Sequence, residues 1–226
     1  ESPFYRVLDR VTLGDWMKRE LGADATVVEI GCGSGRQTIP MVEHGCRVIA
    51  TDLSEEMLQV ARRKAISARR SGHVDFVIAS ADALPLPAGV GGAAVIFGSL
   101  HHFADPEAAI KEASRVLKPG GRFYMLAPHA SALRPVFEWS MKLWTLWKEE
   151  AADEPLFNEA QWRGWLTASG ISPVIRYSTY LPPHVFYAVR GKPGELLLSG
   201  SDWFFGNLPG IRKLAGVIVA EGVRQG

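Results

Sequence analysis

The sequence has 226 residues, a net charge of +1 and an apolar content of 47%, as expected of a globular domain with a substantial core. A near-neutral charge does not indicate nucleic-acid binding, which usually requires a basic face or tail. No apolar run approaches the roughly 20 residues of a membrane span, and the first residues lack a signal-peptide pattern. The two cysteines do not form a disulfide framework, so we expect a cytoplasmic protein.

The first half of the chain alternates short apolar strands with helices. Strands are predicted at 26–30, 47–51, 74–78, 93–97 and 122–127. Helices are predicted at 4–21, 37–44, 54–70 and 105–117. Ser54 and Asp105 are the expected N-caps of the last two helices, because their side chains can accept hydrogen bonds from free backbone amides. Strands that are continuously apolar are covered on both faces, which predicts a parallel sheet wound by helices.

The second half of the chain is richer in aromatic residues. Six of the seven tryptophans follow residue 138, and a helix that is apolar on two sides is predicted over 135–150. Another helix is expected to start at Asn158 or Glu159 and to end at Gly170. Further strands are predicted at 171–180 and 214–223, and irregular structure over 181–212. We therefore expect a cap packed on the sheet.

A turn with three glycines joins the first strand to the next helix. Gly31, Gly33 and Gly35 alternate with small residues, so the backbone there can approach a ligand closely. A phosphate-binding P-loop would need a lysine after the last glycine, where this chain has Arg36. A dinucleotide fingerprint would need a third glycine at that same position. Arg36 thus counts against an oxidoreductase that binds NAD, although this alternative stays open.

Five segments follow the strands in order, at 29–35, 52–54, 81–85, 98–102 and 115–121. Together they resemble the class I S-adenosylmethionine-dependent methyltransferases, in their ubiquinone/menaquinone-biosynthesis-like small-molecule branch. The resemblance covers about residues 26–127 and implies S-adenosylmethionine as cofactor. It also implies a Rossmann-like, doubly wound sheet of seven mostly parallel strands, with the last strand antiparallel. We expect one domain over 1–226, with a cofactor-binding core at 26–127 and a cap at 128–212 inserted before the last strand.

The expected cofactor site begins with Asp52. A carboxylate at the end of the second strand suits the two adjacent hydroxyls of a ribose. The alternative is that Asp52 is only an acidic residue at the start of the next helix. Asp82 could bond the adenine amino group or serve as an ordinary turn residue. Glu29 is expected to orient the glycine turn or to meet the cofactor's amine through water. The expected cofactor-binding residues are Glu29, Gly31, Cys32, Gly33, Ser34, Asp52, Leu53, Asp82, Ala83 and Gly98.

The reaction expected from the resemblance is an in-line methyl transfer, which depends mainly on alignment. His101 and His102 are the candidates for a general base, or else they cap the next helix or pack on the cofactor. The acceptor site is expected to include His129, Trp139 and His184, and no catalytic metal is expected because no histidine pair has ligand spacing.

A small apolar or aromatic acceptor fits the aromatic cap, although those rings could simply pack on the sheet. Gly98-Ser99-Leu100-His101 replaces the Asn/Asp-Pro-Pro-aromatic motif of base-methylating relatives, which argues against a nucleic-acid acceptor. A homodimer through the Trp-rich region is a further expectation. A second alternative is a cofactor-binding subunit that has no transfer activity of its own.

Overall fold

The computed structural model describes residues 3–132, 135, 156–181, 185–189 and 191–226. Within these ranges the strands are β1 (Thr26–Ile30), β2 (Arg47–Asp52), β3 (Val74–Ile78), β4 (Gly91–Phe97), β5 (Leu117–Pro128), β6 (Ile171–Ser178) and β7 (Val217–Arg224). The helices are α1 (Pro3–Asp9), α2 (Asp15–Glu20), α3 (Thr38–Glu43), α4 (Glu55–Ser67), α5 (Pro106–Val116), α6 (Glu159–Ala168), α7 (Val185–Ala188) and α8 (Gly191–Gly206).

The seven strands form one sheet in the order β3-β2-β1-β4-β5-β7-β6. The first five strands in this order, β3, β2, β1, β4 and β5, are each parallel to their neighbours, whereas β7 is antiparallel to both β5 and β6. The predicted fold class is therefore confirmed. The chain leaves β1 for β2 on one side and later enters β4 on the other, so the strand order reverses at β1 and β4. Open α/β sheets bind ligands in the crevice at such a switch point, outside the carboxyl ends of the strands.

The strands bury both faces, as their continuous apolar sequences predicted. Val27 and Val28 are both fully buried but belong to clusters on opposite faces, because successive side chains in a strand point in opposite directions. Residues of α1, α2, α3, α4 and α8 cover one face of the sheet, and residues of α5 and α6 cover the other. Ser54, Asp105 and Asn158 cap their helices by accepting backbone amides.

Three local predictions need correction. The N-terminal helix is not uniform, because a π-helical turn, Arg10–Gly14, joins α1 to α2. Strand β5 starts at Leu117 rather than residue 122, and β4 and β5 change register between Gly91 and Ala93. Strand β7 starts at Val217 rather than residue 214, because a 3₁₀ turn, Ile211–Leu214, precedes it.

The expectation of irregular structure over 181–212 is also wrong, since α8 alone spans 16 residues. Pro193 lies in the first turn of α8, where its missing N–H removes no intrahelical hydrogen bond. Gly194 is buried, and a Cβ atom there would lie 3.2 Å from Val7 Cγ2. Helix α8 therefore packs closely against α1, which a local pattern does not reveal. In the part of the chain that the structure describes, no helix is long and apolar enough to cross a membrane.

Candidate functional site

The glycine turn, residues 31–35, lies at the carboxyl end of β1. Its amides at Gly31 and Cys32 both donate to the Thr51 carbonyl at 2.9 Å, which ties the turn to β2. All three glycines have positive φ, of 72°, 52° and 76°, a region that other residues rarely adopt. A Cβ at Gly31 would lie 2.7 Å from Ser99 Cβ, and one at Gly35 would lie 2.9 Å from Ala61 Cβ. A Cβ at Gly33 would meet no atom within 4 Å, so this glycine faces open space.

The open space in front of Gly33 is a cavity of about 580 Å³, within the usual size range of small-molecule sites. We call it the turn cavity. It lies at the carboxyl ends of β1, β2 and β4, at the expected switch point. Its lining includes Glu29, Gly31, Cys32, Gly33, Ser34, Arg36, Gln37, Asp52, Leu53, Met57, Ala79, Ser80, Ala81, Asp82, Phe97, Gly98, Ser99, His102, Phe103, Ala104 and Asp105.

The Asp52 carboxylate is fixed by two backbone amides. Its Oδ2 accepts from the Gly33 amide at 2.7 Å, and its Oδ1 accepts from the Ser54 amide at 2.9 Å. A carboxylate oxygen has a second lone pair, so each oxygen of Asp52 can accept a further donor from the cavity. This arrangement suits a ligand with two adjacent hydroxyls. Leu53 is 72% exposed and supplies an apolar edge beside it.

Glu29 lies beneath the glycine turn and is only 2% exposed. The Thr38 hydroxyl donates to its Oε2 at 2.5 Å. The pKa of Glu29 is raised to about 8, mainly by burial and in part by the nearby Asp52 carboxylate, against the opposing effects of Thr38 and Arg36. Glu29 is therefore largely protonated at pH 7 in this structure. A cationic ligand in the turn cavity would favour the carboxylate form, because opposite charges lower the pKa of an acid.

The segment after β3 forms a second side of the turn cavity. The Ser80 hydroxyl donates to the Asp82 carboxylate, and both residues line the cavity. The Ala83 amide donates to the Ser80 carbonyl at 3.2 Å, and Ala83 is not part of the lining. Gly98, after β4, has a φ of 66°, and a Cβ there would meet no atom within 4 Å. It thus leaves the cavity as open as Gly33 does.

The two adjacent histidines after β4 have different surroundings. Both lie in the 3₁₀ turn Leu100–His102, with ring centroids 4.1 Å apart. His102 is exposed and lines the turn cavity, whereas His101 is 8% exposed and does not line it. Only His102 is therefore positioned to reach a ligand in the cavity.

The histidine after β5 is separate from the turn cavity. His129 is 4% exposed, and its Nδ1 lies 3.1 Å from the Ala215 carbonyl. Its ring packs edge-on against Tyr177 at 5.2 Å. Burial lowers the pKa of His129, which favours a neutral ring. Trp139 and His184, the other predicted acceptor residues, lie outside the described residues.

Arg36 is a residue of the site that the sequence prediction missed. Its guanidinium lies 4.3 Å from the Tyr5 ring centroid and 5.1 Å from that of Phe97. Its Nη2 donates to Asp9 Oδ1 at 2.9 Å. Arg36 thus connects the glycine turn, α1 and the end of β4 at the wall of the turn cavity. The one sequence signal was its position directly after the last glycine, which in the sequence argues only against a P-loop and against NAD.

Neither a metal centre nor an activated thiol is found at the turn cavity. Among the residues with described positions, no group of three histidine, cysteine or acidic side chains could hold a metal ion. Burial, together with the charges of Glu29 and Asp52, raises the pKa of the Cys32 thiol far above its usual range. A thiol with so high a pKa is a poor nucleophile.

Known proteins match the part of the chain that forms the turn cavity. Residues 28–125 match the family described as "Methyltransferase domain". The ubiquinone/menaquinone biosynthesis C-methyltransferase of Acidiphilium cryptum is 36% identical over 121 residues, which are 51% of this chain and 48% of that protein. The demethylmenaquinone methyltransferase of Thermus thermophilus is 35% identical over 136 residues, 55% of this chain and 61% of that protein. The chain thus spans about half the length of these relatives.

Solved structures match over nearly the whole chain. The YcgJ protein from Bacillus subtilis is 19% identical with a TM-score of 0.67, covering 95% of this chain and 98% of that one. The geranyl diphosphate C-methyltransferase from Streptomyces coelicolor, solved with S-adenosyl-L-homocysteine, is 18% identical with a TM-score of 0.65 and covers 94% of this chain and 79% of that one. At these identities the likeness concerns the fold.

Proposed function

We propose that this chain is a class I S-adenosylmethionine-dependent methyltransferase of the ubiquinone/menaquinone-methyltransferase-like branch and transfers a methyl group to a small apolar or aromatic acceptor. The match of residues 28–125 to the methyltransferase domain family and the named relatives support this proposal. The observation that carries the proposal is the pairing of Asp52 with Gly33. The Gly33 amide holds the Asp52 carboxylate, while the missing side chain of Gly33 leaves room for a ligand beside that carboxylate.

The residues of the turn cavity fit S-adenosylmethionine. Asp52 would accept both ribose hydroxyls, because each of its oxygens keeps a free lone pair. Asp82 would accept the adenine amino group, and Leu53 and Met57 offer apolar contact to the base. Glu29 would stabilise the cofactor's amine, directly or through water. The backbone at Gly31, Gly33 and Gly98 would pass close to the methionine part, with Cys32 and Ser34 beside it.

The cofactor, when bound, supplies a methyl group on a positively charged sulfur that leaves as a neutral thioether. The task of the protein is then to align the acceptor and to exclude water, and alignment alone can supply about 7–11 kcal/mol of the barrier. The turn cavity would perform the first half of this task, because two backbone amides fix the Asp52 carboxylate that would hold the ribose. The cap would perform the second half.

We propose His102 as the general base for an acceptor that carries a proton at the reacting atom. Its exposed ring lines the turn cavity, and no other histidine among the residues with described positions does so. His101, buried behind it, would hold the His102 ring through their contact at 4.1 Å. A positioned base of this kind contributes about 10²–10⁴-fold to a rate.

The acceptor, the assembly and the cellular setting are extensions of this proposal. Relatives named for ubiquinone and menaquinone methylation support a quinone-like aromatic acceptor over nucleic acid. We propose a single domain over 1–226, with a core at 26–127 and a cap at 128–212 in which His129, Trp139 and His184 contact the acceptor. We also propose a homodimer that forms through the Trp-rich region. A reducing, cytoplasmic location is the last part of the proposal, and the buried free cysteines are consistent with it.

A transfer assay tests the proposed function. The chain would be incubated with methyl-labelled S-adenosylmethionine and a panel of phenols, quinols and aromatic amines. We expect label in at least one product, with equimolar S-adenosylhomocysteine formed. Binding of the cofactor without transfer to any acceptor would instead favour the subunit without its own activity. Binding of NAD in place of the cofactor would favour the oxidoreductase, which the family match does not favour.

A further inference from the structure

A segment with two prolines follows the Asp82 side of the turn cavity. The sequence Leu84-Pro85-Leu86-Pro87 lies between the turn that contains Asp82 and strand β4. Proline has no N–H and removes a hydrogen bond from any strand pairing, and this segment lies outside the seven-stranded sheet. Its backbone groups still need partners wherever protein covers them. The place of Asp82 therefore depends on what holds the proline segment.

Two side chains of α5, Glu112 and Arg115, fasten the proline segment to the helix. Arg115 donates from Nη2 to the Leu84 carbonyl at 2.9 Å and from Nη1 to the Leu86 carbonyl at 2.8 Å. Glu112 Oε2 accepts the Leu84 amide at 2.8 Å. The Arg115 carbonyl accepts the Gly89 amide at 3.0 Å. Residues 84–89 are thus bonded at both ends to one turn of α5, and we call Glu112 and Arg115 the α5 clamp.

The two side chains of the α5 clamp also bind each other. Arg115 Nε and Nη2 donate to the two Glu112 carboxylate oxygens at 2.6 and 2.7 Å, a bidentate geometry that lysine does not offer. Four of the five N–H donors of Arg115 are thereby used. Arg115 lowers the pKa of Glu112, so the pair is ionised at neutral pH. Neither residue lines the turn cavity, so the clamp acts on the cavity only through the backbone that it holds.

The α5 clamp and β2 hold the turn of Asp82 from its two ends. Before Asp82, the Ala79 amide donates to the Asp52 carbonyl at 3.0 Å. After Asp82, the clamp holds both backbone groups of Leu84, only two residues away. Between these points the Ser80 hydroxyl donates to the Asp82 carboxylate, which lines the cavity. Loss of the clamp would free one end of this turn and let Asp82 shift.

We propose that the α5 clamp positions Asp82 for the adenine amino group and thereby sets the preference of the cofactor site for adenine over hypoxanthine. Glu112 and Arg115 are positioning residues, since they act through the backbone of residues 84–89. The proposal rests on the proposed function, because it assumes that Asp82 accepts the adenine amino group. It also gives a task to the segment 115–121, whose first residue is the arginine of the clamp.

The test compares two ligands that differ at the base. S-adenosylhomocysteine carries an exocyclic amino group, whereas S-inosylhomocysteine has a carbonyl oxygen there, which cannot donate to Asp82. Both would be titrated calorimetrically, and we expect the wild type to bind S-adenosylhomocysteine about 10- to 100-fold more tightly, as is typical of a hydrogen bond to a charged group. In Arg115→Met this preference should fall below about 3-fold, and the loss should come from weaker binding of S-adenosylhomocysteine alone.

Arg163 provides a matched control. It pairs with Glu159 at 2.8 Å on α6, which covers the same face of the sheet as α5, and its described hydrogen bond does not reach residues 84–89. Arg163→Met should keep the full preference for adenine. Asp82→Ala should abolish that preference, and adding Arg115→Met to it should change the affinity for S-adenosylhomocysteine by less than about 3-fold, because the clamp acts through Asp82.

Glu112→Gln tests the clamp with a smaller change, should Arg115→Met fail to fold. Glutamine keeps an oxygen for the Leu84 amide but loses the charged pairing with Arg115, so the preference should fall by about 3-fold. An unchanged preference in Glu112→Gln would overturn the proposal.

Three other results would also overturn it. They are equal weakening of both ligands in Arg115→Met, an equal loss of preference in Arg163→Met, and a wild type that binds the two ligands equally. Equal weakening in Arg115→Met would mean that the clamp only stabilises the fold. A wild-type chain that binds neither ligand would instead contradict the proposed function itself.

Discussion

Replacement of Glu29 by Gln should change how the stability of the protein depends on pH. The folded pKa of Glu29 is about 8, against 4.5 for the ordinary side chain. A pKa that is raised on folding means that the folded state holds the proton more tightly. The stability from this group is therefore complete below pH 4.5 and is lost as the pH rises through 8.

The size of this effect follows from the two pKa values. Their difference corresponds to about 5 kcal/mol in total, of which about 4 kcal/mol is lost between pH 5 and pH 9. Urea unfolding of both proteins at several pH values measures it, because other titrating groups cancel in the comparison. We expect the free energy of unfolding of the wild type to fall relative to that of Glu29→Gln by this amount.

A second variant controls the interpretation. Thr38→Val removes the hydroxyl that donates to Glu29 and that favours its charged form. The pKa of Glu29 should rise further in this variant, so the loss of stability should extend to higher pH. A difference between the wild type and Glu29→Gln that stays constant from pH 5 to pH 9 would refute the reasoning. It would mean that Glu29 is ionised in the folded protein at neutral pH.

Two further predictions concern the glycine turn and the paired histidines. Gly31→Ala should lower the free energy of unfolding by about 2–4 kcal/mol, because of its positive φ and the clash with Ser99. Gly33→Ala should lower it by only about 1 kcal/mol and should mainly weaken binding of S-adenosylhomocysteine. Urea unfolding measures the stability and calorimetry the binding, and equal losses of stability in the two variants would contradict this prediction. His102→Gln should lower the transfer rate by about 10²–10⁴-fold without changing cofactor affinity; an unchanged rate would exclude His102 as the base.

The local sequence predicted those parts of the site that depend only on residues near one another in the chain. The positive-φ glycines, the strand end at Asp52 and the cap at Ser54 are each determined within a few residues of chain. The parallel, helix-covered part of the sheet followed as well, because continuously apolar strands that alternate with helices are covered on both faces. The antiparallel last strand came from the family resemblance, and the strand order was not predicted. The pairing of Asp52 with the Gly33 amide joins two such local features across neighbouring parallel strands.

The parts that were missed depend on long-range packing. Asp9 and Tyr5 on α1 and Phe97 on β4 hold Arg36 in position. No local sequence pattern relates these three residues to Arg36. Helix α8 contains glycine and proline that indicate a loop, yet packing against α1 maintains the helix. His129 follows a strand end, as a site residue should, but its ring contacts Tyr177 and the Ala215 carbonyl. Its link to an acceptor stays a prediction.

The most direct test of the central claim is a calorimetric titration of S-adenosylhomocysteine into the wild-type chain and into Asp52→Asn. We predict saturable binding at one site in the wild type and no measurable heat from NAD. Asp52→Asn should bind about 10- to 100-fold more weakly, because charged hydrogen bonds to the ribose hydroxyls are replaced by weaker neutral ones. Absence of binding to the wild type, or full affinity in Asp52→Asn, would contradict the account.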